Sequence, residues 1–272
     1  MKKKRVVRIV IFWLILKVIA HALRHIAIRK IKQINKESFP EKGPLLVLFH
    51  HLTVIEEAGI LFQLLWKKIH FVYKDEIEKT PWGLLIVRPF LRFSGMIPAK
   101  RGKTGTAKEA EEKILFVLEQ GGRVAAAPER SSRHFGLVRA KARGLFRIAI
   151  KQNCPILPVA VHNATGALVD GLLYYLKWTP LWFFFRKKRR SDIYVVYGIP
   201  IKMSELGIDL RNDPPGLEGQ AAADAIMIRI GAMLPRHLRG EYTEDIDAFL
   251  EGTDPDVTFY RDIIQPLVNH YG

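Results

Sequence analysis

The stretch LLVLFHHLTVIEEAG, residues 45–59, closes an apolar run on His50 and His51 and follows it with Glu56 and Glu57. An imidazole beside a carboxylate can act as a general base. The acid accepts from one ring N–H and fixes the tautomer, and the other ring nitrogen is then ready to take a proton. Within one continuous helix, residues five apart point about 140° away from each other, because each residue turns the chain by about 100°. A histidine and an acid at that spacing meet only where the histidine stands before the helix and the acid lies in its first turn. His51 and Glu56 have this spacing, whereas the residue five after His50 is Ile55. The pair reads as a dyad suited to deprotonating a hydroxyl, with Glu57 as a helix-start charge favoured by the dipole. A capping or surface role is the alternative that the spacing alone leaves open.

Such a dyad needs a strand-to-helix corner, and the chain supplies the alternation of an α/β protein. Short apolar runs predict strands over Leu45 to Phe49, His70 to Tyr73, Met96 to Ile97, Val124 to Ala127, Ile156 to Val161 and Ile193 to Val196. Helical periodicity predicts helices over Ile55 to Trp66, Trp82 to Phe93, Thr106 to Glu119 and Ala140 to Ala149. The expected architecture is a mixed central sheet flanked by helices, with membrane-associated helices at the amino terminus. Three parts follow: a membrane-associated helical segment over 1–34, a catalytic domain over 35–205 and a helical extension over 206–272. There is no Gly-rich phosphate loop, H-E-x-x-H or G-x-S-x-G, which removes the commonest nucleotide, zinc-protease and serine-hydrolase readings.

The 272 residues are 49% hydrophobic and carry 43 Lys and Arg against 27 Asp and Glu, a formal net charge of +16. The core is ample for one domain, and the charge calls for an anionic partner. The first 34 residues join many cations to apolar side chains without a small-residue cleavage site. Arg8 and Lys17 bracket too short an uncharged run for a simple span, so this segment is read as lying on or dipping into an anionic leaflet. A single span with Lys17 reaching to the interface, or a core helix with a basic face, are the other readings. Residues 171–192 set aromatics directly before the cations Arg186 to Arg190, the composition of a membrane–water boundary. Pro180 breaks any long helix there. The lone Cys154 excludes an intramolecular disulfide and reads as a small buried residue before a strand.

The blocks HHLTVIEE, SGMIPAKRG, AAPERSSR, ARGLFRIAIKQNCPILPVAV and VVYGIPIKM, in that order over residues 43–202, resemble the glycerolipid acyltransferases related to bacterial 1-acylglycerol-3-phosphate acyltransferase. The family's H-x-x-x-x-D falls on His51 to Glu56, with Glu for Asp. Its G-x-I-P-x-x-R is matched by Gly95, Ile97, Pro98 and Arg101. Its F-P-E-G-T-R-S keeps Pro128 and Glu129 but has Ala127 for Phe, Arg130 for Gly and Ser132 for Arg. Its V-P-V or L-P-V strand is Leu157, Pro158 and Val159. The resemblance implies that His51 takes the proton from a lysolipid hydroxyl attacking an acyl thioester, with Glu56 holding the imidazole. It implies that Arg101 binds the acceptor's phosphate, for which a planar guanidinium is well suited. Glu129 would position the glycerol or a neighbouring arginine, with a buried ion pair as its structural alternative. Arg130 or Arg133 would replace the arginine missing at Ser132, and Arg143 with Gly144 fits a later K-G element. His50 stands where the family usually has Asn and is expected to hydrogen bond in the corner.

The implied function is transfer of a fatty acyl group from acyl-CoA or acyl carrier protein to a lysophospholipid, with lysophosphatidate as first choice and another membrane lipid or glycolipid as alternative. No cofactor or metal is required, the expected partners are anionic lipids, acceptor and donor rather than nucleic acid, and the expected location is the cytoplasmic face of a membrane, peripheral or monotopic. A non-catalytic membrane-surface scaffold would have no need of His51 and Glu56, and a thioesterase would turn the same base on water.

Overall fold

The computed structural model describes residues 28–50, 69–74, 95–99, 104–129, 136–141, 143–163, 191–208 and 219–271. Seven strands form one sheet among them: β1 Ile28–Ile34, β2 Leu45–Phe49, β3 Ile69–Lys74, β4 Ile97–Ala99, β5 Arg123–Ala126, β6 Ile156–Asn163 and β7 Ser191–Tyr197. Their order across the sheet is β1-β7-β6-β2-β5-β3-β4. The five strands from β6 to β4 run parallel, β7 is antiparallel to β6, and β1 is parallel to β7. The sheet is mixed, as expected.

Every residue of β2 is buried, which explains its unbroken apolar run, since a central parallel strand is covered on both faces. Leu46 and Leu48 join a cluster with Ile114, Phe146, Ile156 and Ile226. Leu45, Val47 and Phe49 join Phe39, Phe71 and Val159 in a second one. The first cluster packs the sheet against α1 Thr104–Glu119, α2 Arg143–Gln152 and α3 Gln220–Ala232. α3 buries Ala222, Ala223, Ile226, Met227 and Ile230, and its small residues allow close approach. After it come α4 Thr243–Leu250, α5 Pro255–Thr258, a π-helical stretch Phe259–Ile264 and α6 Gln265–Tyr271. These carboxyl-terminal residues are helical as expected, and Ile246, Tyr260, Ile264 and Val268 belong to the same core as the sheet.

Residues 28–34 correct an expectation. They fall in the segment read as helical over 1–34, with Ile28 and Ile31 in a mixed helical pattern, yet they form β1, paired with β7. Lys32 is accommodated in the strand: its Nζ donates to Tyr194 Oη at 3.1 Å and stands over the tyrosine ring. The expectations for residues 1–27, for helices over 55–66 and 82–93, and for the aromatic and basic segment up to residue 190 lie outside the described residues. Among the described residues, no helix is long and apolar enough to cross a membrane.

Candidate active site

β2, β4 and β5 are all parallel, so their carboxyl ends lie along one edge of the sheet, the edge at which α/β proteins gather ligands. His50, Ala99 and Glu129 mark where the first three sequence blocks meet that edge. His51 follows directly on His50, and Arg101 lies two residues beyond the end of β4. His51, Glu56, Arg101, Arg130 and Arg133 lie outside the described residues, as does the His51 to Glu56 pairing.

His50 is 2% exposed and its Nε2 accepts the backbone N–H of Val161 at 3.0 Å. That bond makes it a corner residue, in accord with the expectation, because an Nε2 that accepts a hydrogen bond carries no proton. It ties the end of β2 to β6 immediately before His51.

Gly95 and Pro98 stand on either side of the start of β4. Gly95 has φ +70° and its carbonyl lies 2.8 Å from His70 Nδ1. A Cβ at position 95 would approach that nitrogen to 2.9 Å. The glycine is thus required twice, by its backbone conformation and by the ring against it. Pro98 pairs with Tyr73 of β3.

Glu129 is 4% exposed and lies just past β5. Its Oε1 accepts the backbone N–H of Val138 at 3.0 Å. A buried carboxyl group held by a main-chain donor is fixed in orientation. Val138 belongs to an irregular segment, residues 136–141, and α2 begins after it, at Arg143 and not at Ala140. Asn153, with φ +46°, ends the helix.

One further buried group adjoins this edge, and a second lies at the opposite, amino-terminal end of β6. His162, near the end of β6, is 1% exposed and stacks on Tyr194 with ring centroids 5.0 Å apart. Neither of its ring nitrogens has a hydrogen-bond partner among the described residues. Burial, reinforced by the charge of His237, lowers its pKa to about 4. Cys154 is buried before β6 and its thiol is pushed up to about 11 by that burial. It is a packing residue, as its sequence context indicates.

Residues 30–162 match the family model described as Acyltransferase. That stretch is 133 of the 272 residues, just under half of the chain, and over it the chain is similar to acyltransferases. Among curated relatives, the 1-acyl-sn-glycerol-3-phosphate acyltransferase of Borreliella burgdorferi is 21% identical over 145 residues, covering 53% of this chain. The match spans 56% of that relative's length, so the chain aligns with little more than half of it. The crystal structure of the 1-acyl-sn-glycerophosphate (LPA) acyltransferase PlsC from Thermotoga maritima matches with a TM-score of 0.47 and 15% identity, over 83% of this chain and 74% of that one. The acyltransferase match covers β1 to nearly the end of β6, and therefore Glu129 and His50.

Sequence reasoning missed the main-chain donors of Val138 and Val161, because backbone groups carry no residue signature. It also missed the layer beneath residues 136–141. Its one trace in the sequence is a pair of glycines, Gly136 and Gly240, where the two segments cross. A Cβ on Gly136 would sit 2.8 Å from Gly240 Cα.

Proposed function

We propose that the chain transfers a fatty acyl group from acyl-CoA or acyl carrier protein to the free hydroxyl of a lysophospholipid, with lysophosphatidate as the first acceptor to test. The observation that carries this reading is the order of the sequence blocks: the His51 to Glu56 block, Arg101 and Glu129 each come, in sequence, just after a strand whose carboxyl end lies at one edge. The acyltransferase family match and the curated relative's name support it.

In this reading His51 removes the proton as the acceptor oxygen attacks the thioester carbonyl, and Glu56 orients the imidazole and stabilises the imidazolium. General-base assistance of this kind is typically worth about 10² to 10⁴ in rate. Arg101 holds the acceptor phosphate, and Glu129, oriented by Val138 N–H beside the same edge, positions the glycerol or a neighbouring arginine. Thiolate departs from the acyl carbon, and the ester forms without a covalent enzyme intermediate. The cations and apolar residues of 1–27 and 171–190 suit docking on the cytoplasmic face of an anionic membrane.

A second acceptor class has its own support in the third block. Arg130 stands where the family has Gly and Ser132 where it has Arg, so a lipid or glycolipid with another head group suits a rebuilt anion pocket. Transfer from labelled acyl-CoA to a panel of lysolipids in detergent micelles, with wild type beside His51→Ala, tests both. Transfer that vanishes in the variant supports the reaction and the base. Full activity in His51→Ala overturns the base, and fatty acid release without acceptor points to the thioesterase.

A further inference from the structure

Five consecutive backbone amides, residues 137–141, are all committed to hydrogen bonds, and they divide between two partners. Val138 donates to Glu129 Oε1 at 3.0 Å and Lys141 to the Pro128 carbonyl at 3.1 Å, both in the third sequence block. Leu137 donates to the Leu238 carbonyl at 3.2 Å, Arg139 to Glu241 Oε2 at 2.8 Å and Ala140 to Tyr242 Oη at 3.1 Å. These three partners belong to the carboxyl-terminal layer, outside residues 30–162. The Leu137 carbonyl also accepts from Glu241 N–H at 2.9 Å. Residues 137–141 are therefore a splint with Glu129 bound on one side and the carboxyl-terminal layer on the other.

The layer is itself fixed. Tyr242 is fully buried, and its hydroxyl donates to Asp224 Oδ1 of α3 at 2.5 Å. Arg139 lies over the Tyr242 ring and pairs with Asp245 at 2.8 Å. Arg239, 3% exposed, is held by Asp247 Oδ1 at 2.7 Å and Gln265 Oε1 at 2.8 Å. Gly240, at φ +54°, lets the turn lie against Leu137, since a Cβ there would fall 2.2 Å from the Leu137 carbonyl oxygen. The Tyr242 hydroxyl and the Arg239 guanidinium thus fasten this turn to α3, α4 and α6.

We propose that Tyr242 and Glu241 are positioning residues for Glu129, so that acceptor recognition is set in part from the carboxyl-terminal layer. The physical route is short: Val138 N–H orients the Glu129 carboxylate, and the amides on both sides of Val138 are held by Leu238 and Glu241. Small displacements at a binding carboxylate are expensive in rate. This inference rests on the reading of Glu129 as an acceptor-positioning group, and its test separates the two.

The full chain is assayed as wild type, Tyr242→Phe, Glu241→Ala, Glu129→Ala and the double variant Tyr242→Phe with Glu129→Ala. Tyr242→Phe leaves the Ala140 N–H without its acceptor. The expected result is a loss of about tenfold in kcat/KM for the acceptor, with the donor KM unchanged. In the Glu129→Ala background the same change is expected to cost less than about twofold, because residues acting through one group are not additive. Hydrogen exchange at the Leu137 and Val138 amides is expected to accelerate about tenfold in Tyr242→Phe. Additive losses, or unchanged exchange, overturn the proposal. Should Tyr242→Phe fail to fold, the exposed Glu241→Ala carries the same readouts. If Glu129→Ala retains full transfer, the role given to Glu129 falls, and the exchange rates alone decide whether the carboxyl-terminal layer holds the splint.

Discussion

His50 Nε2 accepts the N–H of Val161, a residue 111 positions away, and so fastens the end of β2 to β6 directly before His51. Removing the ring leaves a buried amide without its partner, which costs about 1–3 kcal/mol. His50→Ala is expected to lower the urea midpoint accordingly, while His50→Asn, which offers an acceptor of its own, recovers part of the loss. Equal stability of the alanine variant and wild type would show that the bond is energetically idle.

Gly95→Ala combines a left-handed backbone with a Cβ 2.9 Å from His70 Nδ1. The strain is expected to cost about 1–3 kcal/mol and to displace the block that leads to Arg101. Thermal unfolding measures the first effect. Pairing with His70→Ala separates the two causes: relief of the steric part leaves only the backbone part.

Arg101→Ala is expected to raise the acceptor KM or lower turnover, with little effect on the donor KM. A lost bidentate phosphate contact is worth about 1.5–3 kcal/mol, or about ten- to a hundredfold. Steady-state kinetics with each substrate varied in turn reads this directly. A change confined to the donor would assign the arginine to the other substrate.

His162 gives the pH dependence a definite sign. Its pKa is about 4 in the fold against an ordinary 6.5, because burial, with His237 adding, disfavours the charged ring. Above pH 6.5 both folded and unfolded chains hold it neutral, and it imposes no penalty. As pH falls from 6.5 to 4 the unfolded chain takes up the proton first, and stability drops by an amount on the order of 3 kcal/mol. His162→Phe keeps a ring against Tyr194 and removes the titration. Its stability is expected to fall less steeply than that of wild type between those pH values, as measured by denaturant midpoints.

Cys154 is expected to resist thiol reagents in the native state, because its pKa of about 11 and its burial suppress the reactive thiolate. Labelling that tracks unfolding in increasing urea supports this, and rapid labelling without denaturant refutes it.

The strands were legible wherever burial on both faces leaves an apolar run, as in Leu45 to Phe49. Helices α1 and α2 were legible from their periodicity. β1 was not, because its isoleucines recur every third residue and Lys32 finds its partner in Tyr194, 162 positions away. Of the site, Glu129 and Gly95 were legible as residue types. What orients Glu129 was not, since the Val138 amide is invisible in a list of side chains. Residues 219–271 were legible as helical but not as the layer that holds residues 137–141, because that role lies in hydrogen bonds to backbone.

The two outer strands of the sheet carry a further consequence, for solubility. A bare strand edge is a template on which other chains can polymerise. β1, the outermost strand on one side among the described residues, carries Lys30 and Lys32, and charge on such a rim repels a second copy. β4, at the other side, is three residues long with Pro98 at its centre, and a proline has no N–H to offer an incoming strand. Pro98, part of the G-x-I-P-x-x-R block, thus also blunts the sheet against fibre-like growth. Pro98→Val would weaken that protection, with a gain in aggregation propensity even where transfer survives.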